Sequence, residues 1–240
     1  MRKVMFILTL MLSVMAVQAK TLIVYYSYTN NVHRIVGELS KQIEADVVRI
    51  EPAEKGLDYA ANNYAIGSAQ IAAIRNNPGD ASSYPAIDSV NVNLAEYNCI
   101  IIAAPLWWSN MASPLQSYLF HNGAAMAGKK IGLIVSSASS GISAVEGDAK
   151  RLIPNGDFLS PSLWIRSAQT SNAASMLSEW LKTIKYADLS GIENISPEGS
   201  NPTYTVFNLG GQLLGSNVES LQNLESGVYI VNGKKIYLNN

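Results

Sequence analysis

Short polar side chains separate an apolar run from an amphipathic stretch near the start of the chain. The apolar run 22–26 comes first, and the amphipathic stretch begins at Val32; between them lie Ser27, Thr29, Asn30 and Asn31. A helix beginning here presents unsatisfied backbone N–H groups and the positive end of its dipole. With the two hydroxyls, these donors could bind a phosphate group. Capping of the helix by Thr29, Asn30 or Asn31 explains this loop alone equally well.

Two adjacent tryptophans follow a second apolar run. The run 99–104 leads into "PLWWSNMASP", which contains Trp107 and Trp108. At the carboxyl end of a strand, a large flat side chain can stack on a flat ligand ring. One of the pair is expected to pack beneath the third helix, and the sequence does not say which.

A third loop, "SSASSGISAVEG" at 136–147, is small and rich in hydroxyls. Flexibility at Gly141 would let backbone amides approach the polar edge of a ring. A serine nucleophile at Ser139 is disfavoured, because Ser137 occupies the first glycine position of the G-x-S-x-G pattern. His33 and His121 are expected at the surface or as helix caps. The chain lacks the phosphate-binding glycine motifs and any histidine–cysteine cluster, so we predict no catalytic residue and no metal ligand.

These three loops require an alternating arrangement of strands and helices. Hydrophobic patterning predicts strands at 21–26, 46–50, 99–104, 130–136 and 162–165, and helices at 32–43, 62–75, 113–121, 143–152 and 171–184. Five βα units predict an α/β fold, a doubly wound five-stranded parallel sheet with strand order 2-1-3-4-5. The loops after residues 26, 104 and 136 would then meet at the carboxyl edge of the sheet, where ligands bind.

The composition limits the other possibilities. The chain has 240 residues, is 48% hydrophobic and carries a formal net charge of −1, which fits one domain with a sizeable core and excludes a basic nucleic-acid surface. Cys99 is the only cysteine, so no intrachain disulfide can form. We expect it to be a buried, inert thiol.

The first nineteen residues have the pattern of a secretory signal peptide. Arg2 and Lys3 precede an apolar run at 4–17, and Ala19 offers a cleavage site. The mature protein would begin at Lys20 and be exported to the periplasm or cell surface, with only transient membrane contact through the signal. An uncleaved anchor is disfavoured, because a span needs about 20 apolar residues.

The composition changes again near residue 188. The predicted domain covers 20–187, a linker rich in Gly, Pro, Asn and Ser covers 188–202, and a small β module covers 203–240. In "VYIVNGKKIYL", Asn-Gly between alternating segments predicts a hairpin. The module is too short to hold much of a core alone, so we expect it to pack on a partner or on the main domain. It resembles short β modules associated with sorting or surface attachment in some exported bacterial proteins.

Residues 20–186 resemble the flavodoxin family. "YYSYTNNV", "PLWWSN" and "SSASSGIS" match that family's phosphate loop, flavin loop and third loop. The resemblance implies a flavodoxin-like fold that binds FMN non-covalently. It assigns the phosphate to Ser27, Tyr28, Thr29, Asn30, Asn31 and Val32, and the flavin ring to Pro105, Leu106, Trp107, Trp108, Ser137, Ser139 and Gly141.

Two residues depart from the family's pattern. Asn30 replaces its glycine, although asparagine tolerates a left-handed backbone. Val32 replaces a threonine, so one hydroxyl contact to the phosphate is missing. The expected function is electron transfer, or reduction of a small acceptor such as a quinone, with a redox protein or that acceptor as partner. The alternative is a flavodoxin-fold binding or structural module that has lost FMN.

Overall fold

The computed structural model describes residues 20–189, 204–218 and 220–238. The predicted signal peptide and residues 190–202 of the predicted linker lie outside them. The first sheet contains β1 (Lys20–Tyr25), β2 (Asp46–Arg49), β3 (Tyr97–Trp107), β4 (Asn110–Met111), β5 (Lys130–Ser137), β6 (Asp157–Phe158) and β7 (Leu163–Arg166). Its order is β2-β1-β3-β5, with β6 and β7 both beside β5. The predicted order 2-1-3-4-5 is therefore confirmed.

The fifth strand position is divided between two short segments. β6 pairs with Lys130 and Ile131, whereas β7 pairs with residues 134–137 of β5. The sequence predicted only the second segment, because the first has just two residues. β4 is an antiparallel addition that pairs with the end of β3.

Six helices accompany the described strands of this sheet: α1 (Asn31–Leu39), α2 (Ala61–Asn76), α3 (Ser113–Asn122), α4 (Ser143–Leu152), α5 (Ala173–Thr183) and α6 (Tyr186–Leu189). α1 ends four residues before the predicted end at Ile43. α2 has a left-handed backbone at Asn62, Asn63 and Tyr64, so its regular right-handed part begins only after them.

Two hydrophobic clusters cover the two faces of the sheet. Alternate residues of β1, and Tyr26 directly after it, divide between them, with Leu22, Val24 and Tyr26 in one and Ile23 and Tyr25 in the other. This division follows from the two-residue period of a strand, and burial on both faces explains the continuous apolar runs in the sequence. Cys99 is 2% exposed, and burial raises the pKa of its thiol to about 11. The expected burial of the thiol is confirmed, and its raised pKa fits the low reactivity expected of it.

A separate antiparallel sheet forms near the C-terminus. It contains β8 (Tyr204–Phe207), β9 (Leu213–Val218), β10 (Gly227–Val231) and β11 (Lys234–Leu238), in the order β11-β10-β8-β9. Asn232 and Gly233 connect β10 and β11 with positive φ angles of 50° and 79°. The predicted Asn-Gly hairpin is therefore present, whereas β9 was not predicted.

Within the parts of the chain that are described, none of the helices combines the length and the apolar character needed to cross a membrane.

Candidate functional site

The carboxyl ends of β1, β3 and β5 lie side by side and bring the three predicted loops together. Tyr25 pairs with Ala103, and Pro105 pairs with Ser136, so each strand ends close to its neighbour. The three sequence motifs therefore follow neighbouring strand ends at one edge of the sheet, which is where the ligand crevice lies in sheets of this class.

Ser27 organises the first loop from a buried position. Its side chain is 3% exposed, and its hydroxyl accepts a hydrogen bond from the backbone N–H of His33 at 3.2 Å. The Arg49 guanidinium donates to the Ser27 carbonyl at 3.2 Å. The cap of α1 is thus supplied by Ser27, and not by the residues for which capping was considered.

Asn30 takes the backbone conformation that the family's glycine would take. It precedes α1 with φ 64° and ψ −1°, and its side chain makes no capping hydrogen bond. This is the left-handed region, where asparagine is among the few tolerated side chains. The turn therefore survives the replacement of glycine.

The start of α1 offers hydrogen-bond donors that the protein itself does not use. The backbone N–H groups of residues 29–32 have no acceptor among the described residues, and Arg34 is the first to bond back, to the Asn30 carbonyl at 3.0 Å. The side chain of Thr29 is exposed beside them. Converging N–H groups at a helix N-terminus, free of acidic side chains in the first turn, fit the phosphate of a nucleotide.

Val32 contributes nothing polar to this site. Its side chain is 2% exposed and packs with Ile23 and Ile35 in the core. The only contribution it can make to a phosphate is its backbone N–H.

Trp107 is the better buried member of the tryptophan pair. It lies at the end of β3, which continues three residues beyond the predicted end at Ala104. Its ring centroid is 4.8 Å from that of Tyr59, 5.6 Å from that of Tyr26 and 6.4 Å from that of Tyr28. It packs against the core cluster to which α3 contributes, so Trp107 is the tryptophan that joins the interior.

Trp108 faces outward from a tight turn. The turn joins β3 to β4, and both of its central residues have positive φ, 46° at Trp108 and 67° at Ser109. This is the pattern of a type I′ hairpin, in which non-glycine residues are strained. Trp108 is 40% exposed and lies against Gly67 of α2, where an added Cβ would be 3.0 Å from Cζ3 of the indole.

A polar network fixes this hairpin in place. Asp148, 7% exposed, accepts hydrogen bonds through Oδ2 from the Met111 N–H and from the Asn110 amide, both at 2.9 Å. Its Oδ1 pairs with Arg151 at 3.1 Å. Arg75 donates to the Asn110 side chain at 2.6 Å and to the Trp108 carbonyl. Helices α2 and α4 thereby hold the strained turn from two sides.

The third loop uses one of its serines for its own structure. Ser137 is 4% exposed; its hydroxyl donates to the Ser140 carbonyl and accepts from the Trp164 indole, both at 2.8 Å. Ser139 and Gly141 are exposed, and a Cβ at Gly141 would meet no atom within 4 Å. The open part of this loop is therefore the part left for a ligand.

Several residues that shape the site were not predicted. They are Tyr59, Gly67, Arg75, Asn110 and Asp148. All except Asn110 lie outside the three motifs, and each acts through a contact with a residue distant in sequence. Among the described residues, no cluster of His, Cys, Asp or Glu could hold a metal ion.

Solved structures with the same architecture share little sequence with this chain. A candidate flavoprotein from Bacteroides eggerthii DSM 20697 is 22% identical, with a TM-score of 0.55, over 70% of this chain and 98% of its own. A flavoprotein from Lactobacillus acidophilus NCFM, crystallised with FMN, is 20% identical, with a TM-score of 0.52, over 65% of this chain and 99% of its own. No curated protein matches the chain. At these identities the likeness establishes the fold alone.

The fold and the crevice define an α/β protein of the flavodoxin-like class. The flavodoxin family model matches residues 20–184, which is more than half of the chain. The chain therefore belongs to the flavodoxin family, as its sequence predicted.

Proposed function

We propose that this protein binds FMN in the crevice formed by its three loops and acts in electron transfer or in reduction of a small acceptor. Membership of the flavodoxin family supports FMN as the cofactor. The observation that carries the proposal for this chain is the set of free N–H groups at residues 29–32, at the same edge of the sheet as the loop that carries the exposed Trp108. These two features match the two ends of FMN, a dianionic phosphate and a flat ring.

The chain's own residues bind and orient the cofactor in this proposal. Backbone N–H groups and the Thr29 hydroxyl hold the phosphate, while Ser27 keeps the helix start in place. Trp108 provides a flat apolar surface, and the loop at Ser139 and Gly141 offers backbone groups to the edge of the ring. Bound FMN supplies the redox chemistry. An apolar indole beside the flavin ring would disfavour the anionic reduced form of the flavin. This would shift the reduction potential of the flavin.

Export and the redox partner are further parts of the proposal. The pattern of residues 1–19 supports export to the periplasm or cell surface. The exposed position of Trp108 supports access by a redox protein or a small acceptor such as a quinone.

FMN titration of residues 20–240 tests the proposal. We expect quenching of flavin fluorescence at stoichiometric protein, and a much lower affinity for riboflavin, which lacks the phosphate. A protein that leaves FMN fluorescence unquenched would contradict it.

Val32 favours the second candidate function, a flavodoxin-fold module that has lost FMN. A hydrogen bond to a charged group contributes about 1.5–3 kcal/mol, so its loss could weaken binding roughly tenfold or more. The double variant Asn30→Gly, Val32→Thr distinguishes the two. Because Asn30 already has a left-handed backbone, any gain must come mainly from the new hydroxyl. A large gain in FMN affinity favours the degenerate module, whereas an unchanged affinity favours a native site that already binds.

A further inference from the structure

Aromatic rings form a continuous chain from the exposed Trp108 to Tyr28. The ring centroids of Trp108 and Trp107 are 6.3 Å apart, those of Trp107 and Tyr59 4.8 Å, and those of Tyr59 and Tyr28 5.6 Å. Trp107 also contacts Tyr28 directly, with centroids 6.4 Å apart. These separations are those of rings in van der Waals contact, across which an electron moves readily.

Tyr28 differs from the other tyrosines of this cluster because its phenol contacts a proton acceptor. Its hydroxyl donates to Oδ1 of Asp58 at 2.9 Å, and this hydrogen bond lowers the pKa of the Asp58 carboxyl. In contrast, the Tyr59 hydroxyl is buried and has no carboxylate at hydrogen-bond distance among the described residues. A phenol that loses an electron must also release its proton, and a carboxylate at hydrogen-bond distance can accept it.

We propose that this chain of rings is a one-electron relay, with Tyr28 as the terminal electron donor and Asp58 as the acceptor of its proton. The relay carries oxidising equivalents away from the crevice. Only the source of those oxidising equivalents rests on the proposed function. That source is a one-electron oxidant formed there, such as a photoexcited flavin or an oxygen-derived radical.

The electrons and protons balance in three steps. The oxidant takes one electron from the indole of Trp108 or Trp107 and is reduced by one electron. The indole radical cation then takes one electron from Tyr28, while the phenol O–H bond breaks and its proton moves to Asp58. The resulting phenoxyl radical is reduced by a soluble one-electron donor, and Asp58 returns the proton. Tyr28 lines an open cleft of about 170 Å³, which gives such a donor access.

The relay can be tested on the flavin-free protein. Azide radicals generated by pulse radiolysis take one electron from tryptophan, and the tryptophanyl and tyrosyl radicals that follow have distinct absorption spectra. We expect tryptophanyl absorption to decay as tyrosyl absorption grows, at a rate independent of protein concentration. Asp58→Asn keeps an oxygen near the phenol but cannot accept the proton, and should slow this transfer by roughly tenfold or more. Tyr28→Phe should remove the fast phase.

Tyr97 offers a matched control. Its phenol donates to Asp46 at 2.7 Å, but its ring contacts no tryptophan among the described residues, so Tyr97→Phe should leave the rate unchanged. The proposal is overturned by a rate proportional to protein concentration, by an unchanged rate in Asp58→Asn and Tyr28→Phe, or by an equal effect of Tyr97→Phe. Because no flavin is present, these outcomes are independent of the FMN titration.

Discussion

Asn30 shows how one residue type preserves a turn that the flavodoxin family builds with glycine. Its left-handed backbone costs asparagine less than other side chains, and glycine nothing. We expect Asn30→Gly to change the free energy of unfolding by less than about 0.5 kcal/mol, and Asn30→Ala to lower it by about 1 kcal/mol. Urea unfolding measures both. Equal values for the alanine and glycine variants would show that the left-handed turn is not required for folding.

At the residue scale, the sequence predicted well which side chains lie near the crevice. It predicted the role of each side chain less well. The tolerance of a left-handed turn at Asn30 could be predicted, because it depends on the residue itself. The capping role of Ser27 and the burial of Trp107 could not, because they depend on the direction of α1 and on Tyr59. A local motif does not contain that information.

At the scale of elements, Asp148 connects α4 to the hairpin that carries Trp108. Asp148→Ala would leave the buried Met111 N–H and the half-buried Asn110 amide without their shared acceptor, and would remove one partner of Arg151. We expect a loss of about 3 kcal/mol in urea unfolding, together with weaker FMN binding because the hairpin is released. Asp157→Ala is the control, since its pair with Lys130 is exposed and worth less than about 1 kcal/mol. Equal losses in the two variants would contradict a structural role for this network.

Gly67 tests the contact between α2 and Trp108 without removing a polar group. In Gly67→Ala, the new Cβ would meet the Trp108 indole at 3.0–3.1 Å, so the indole must shift by a few tenths of an ångström. We expect FMN affinity to fall and Trp108 fluorescence to change. Helix propensity favours alanine by about 1 kcal/mol, so the net change in stability should be small.

The matched control for Gly67 is Gly147→Ala in α4. A Cβ at Gly147 would meet no atom within 4 Å. This variant should gain about 0.5–1 kcal/mol and leave FMN binding unchanged. An unaltered FMN affinity in Gly67→Ala would contradict a role in FMN binding for the contact between α2 and Trp108.

The helices and strands differ in how well the sequence predicted them. Long periodic segments predicted the central strands and the sheet order correctly, because burial on two faces leaves a clear pattern. β4, β6 and the left-handed residues 62–64 were missed, because two-residue strands and three-residue turns are too short to show a period. Two of these three, β4 and the left-handed residues, lie at or beside the elements that hold Trp108, so the site was harder to predict than the sheet.

At the scale of the whole molecule, the C-terminal sheet has its own core. Among the described residues, five buried residues of this sheet and Leu221 form a cluster separate from both clusters of the first sheet. Among the described residues, Lys235, whose side chain is 11% exposed, pairs with the largely exposed Glu44 of the first sheet's region at 2.9 Å. Because the Glu44 carboxylate is largely exposed, solvent screens this pair and its contribution to stability is small.

Removal of residues 190–240 should therefore leave the first domain folded and able to bind FMN. Its crevice and both of its hydrophobic clusters lie entirely within residues 20–189, so we expect the FMN dissociation constant to stay within about twofold. The midpoint of thermal unfolding should fall by only a few degrees, about the effect of losing 1 kcal/mol. The C-terminal segment alone, with so small a core, should unfold without a cooperative transition. Loss of FMN binding in the truncated protein, with its circular dichroism unchanged, would instead show that the C-terminal sheet contributes to the crevice.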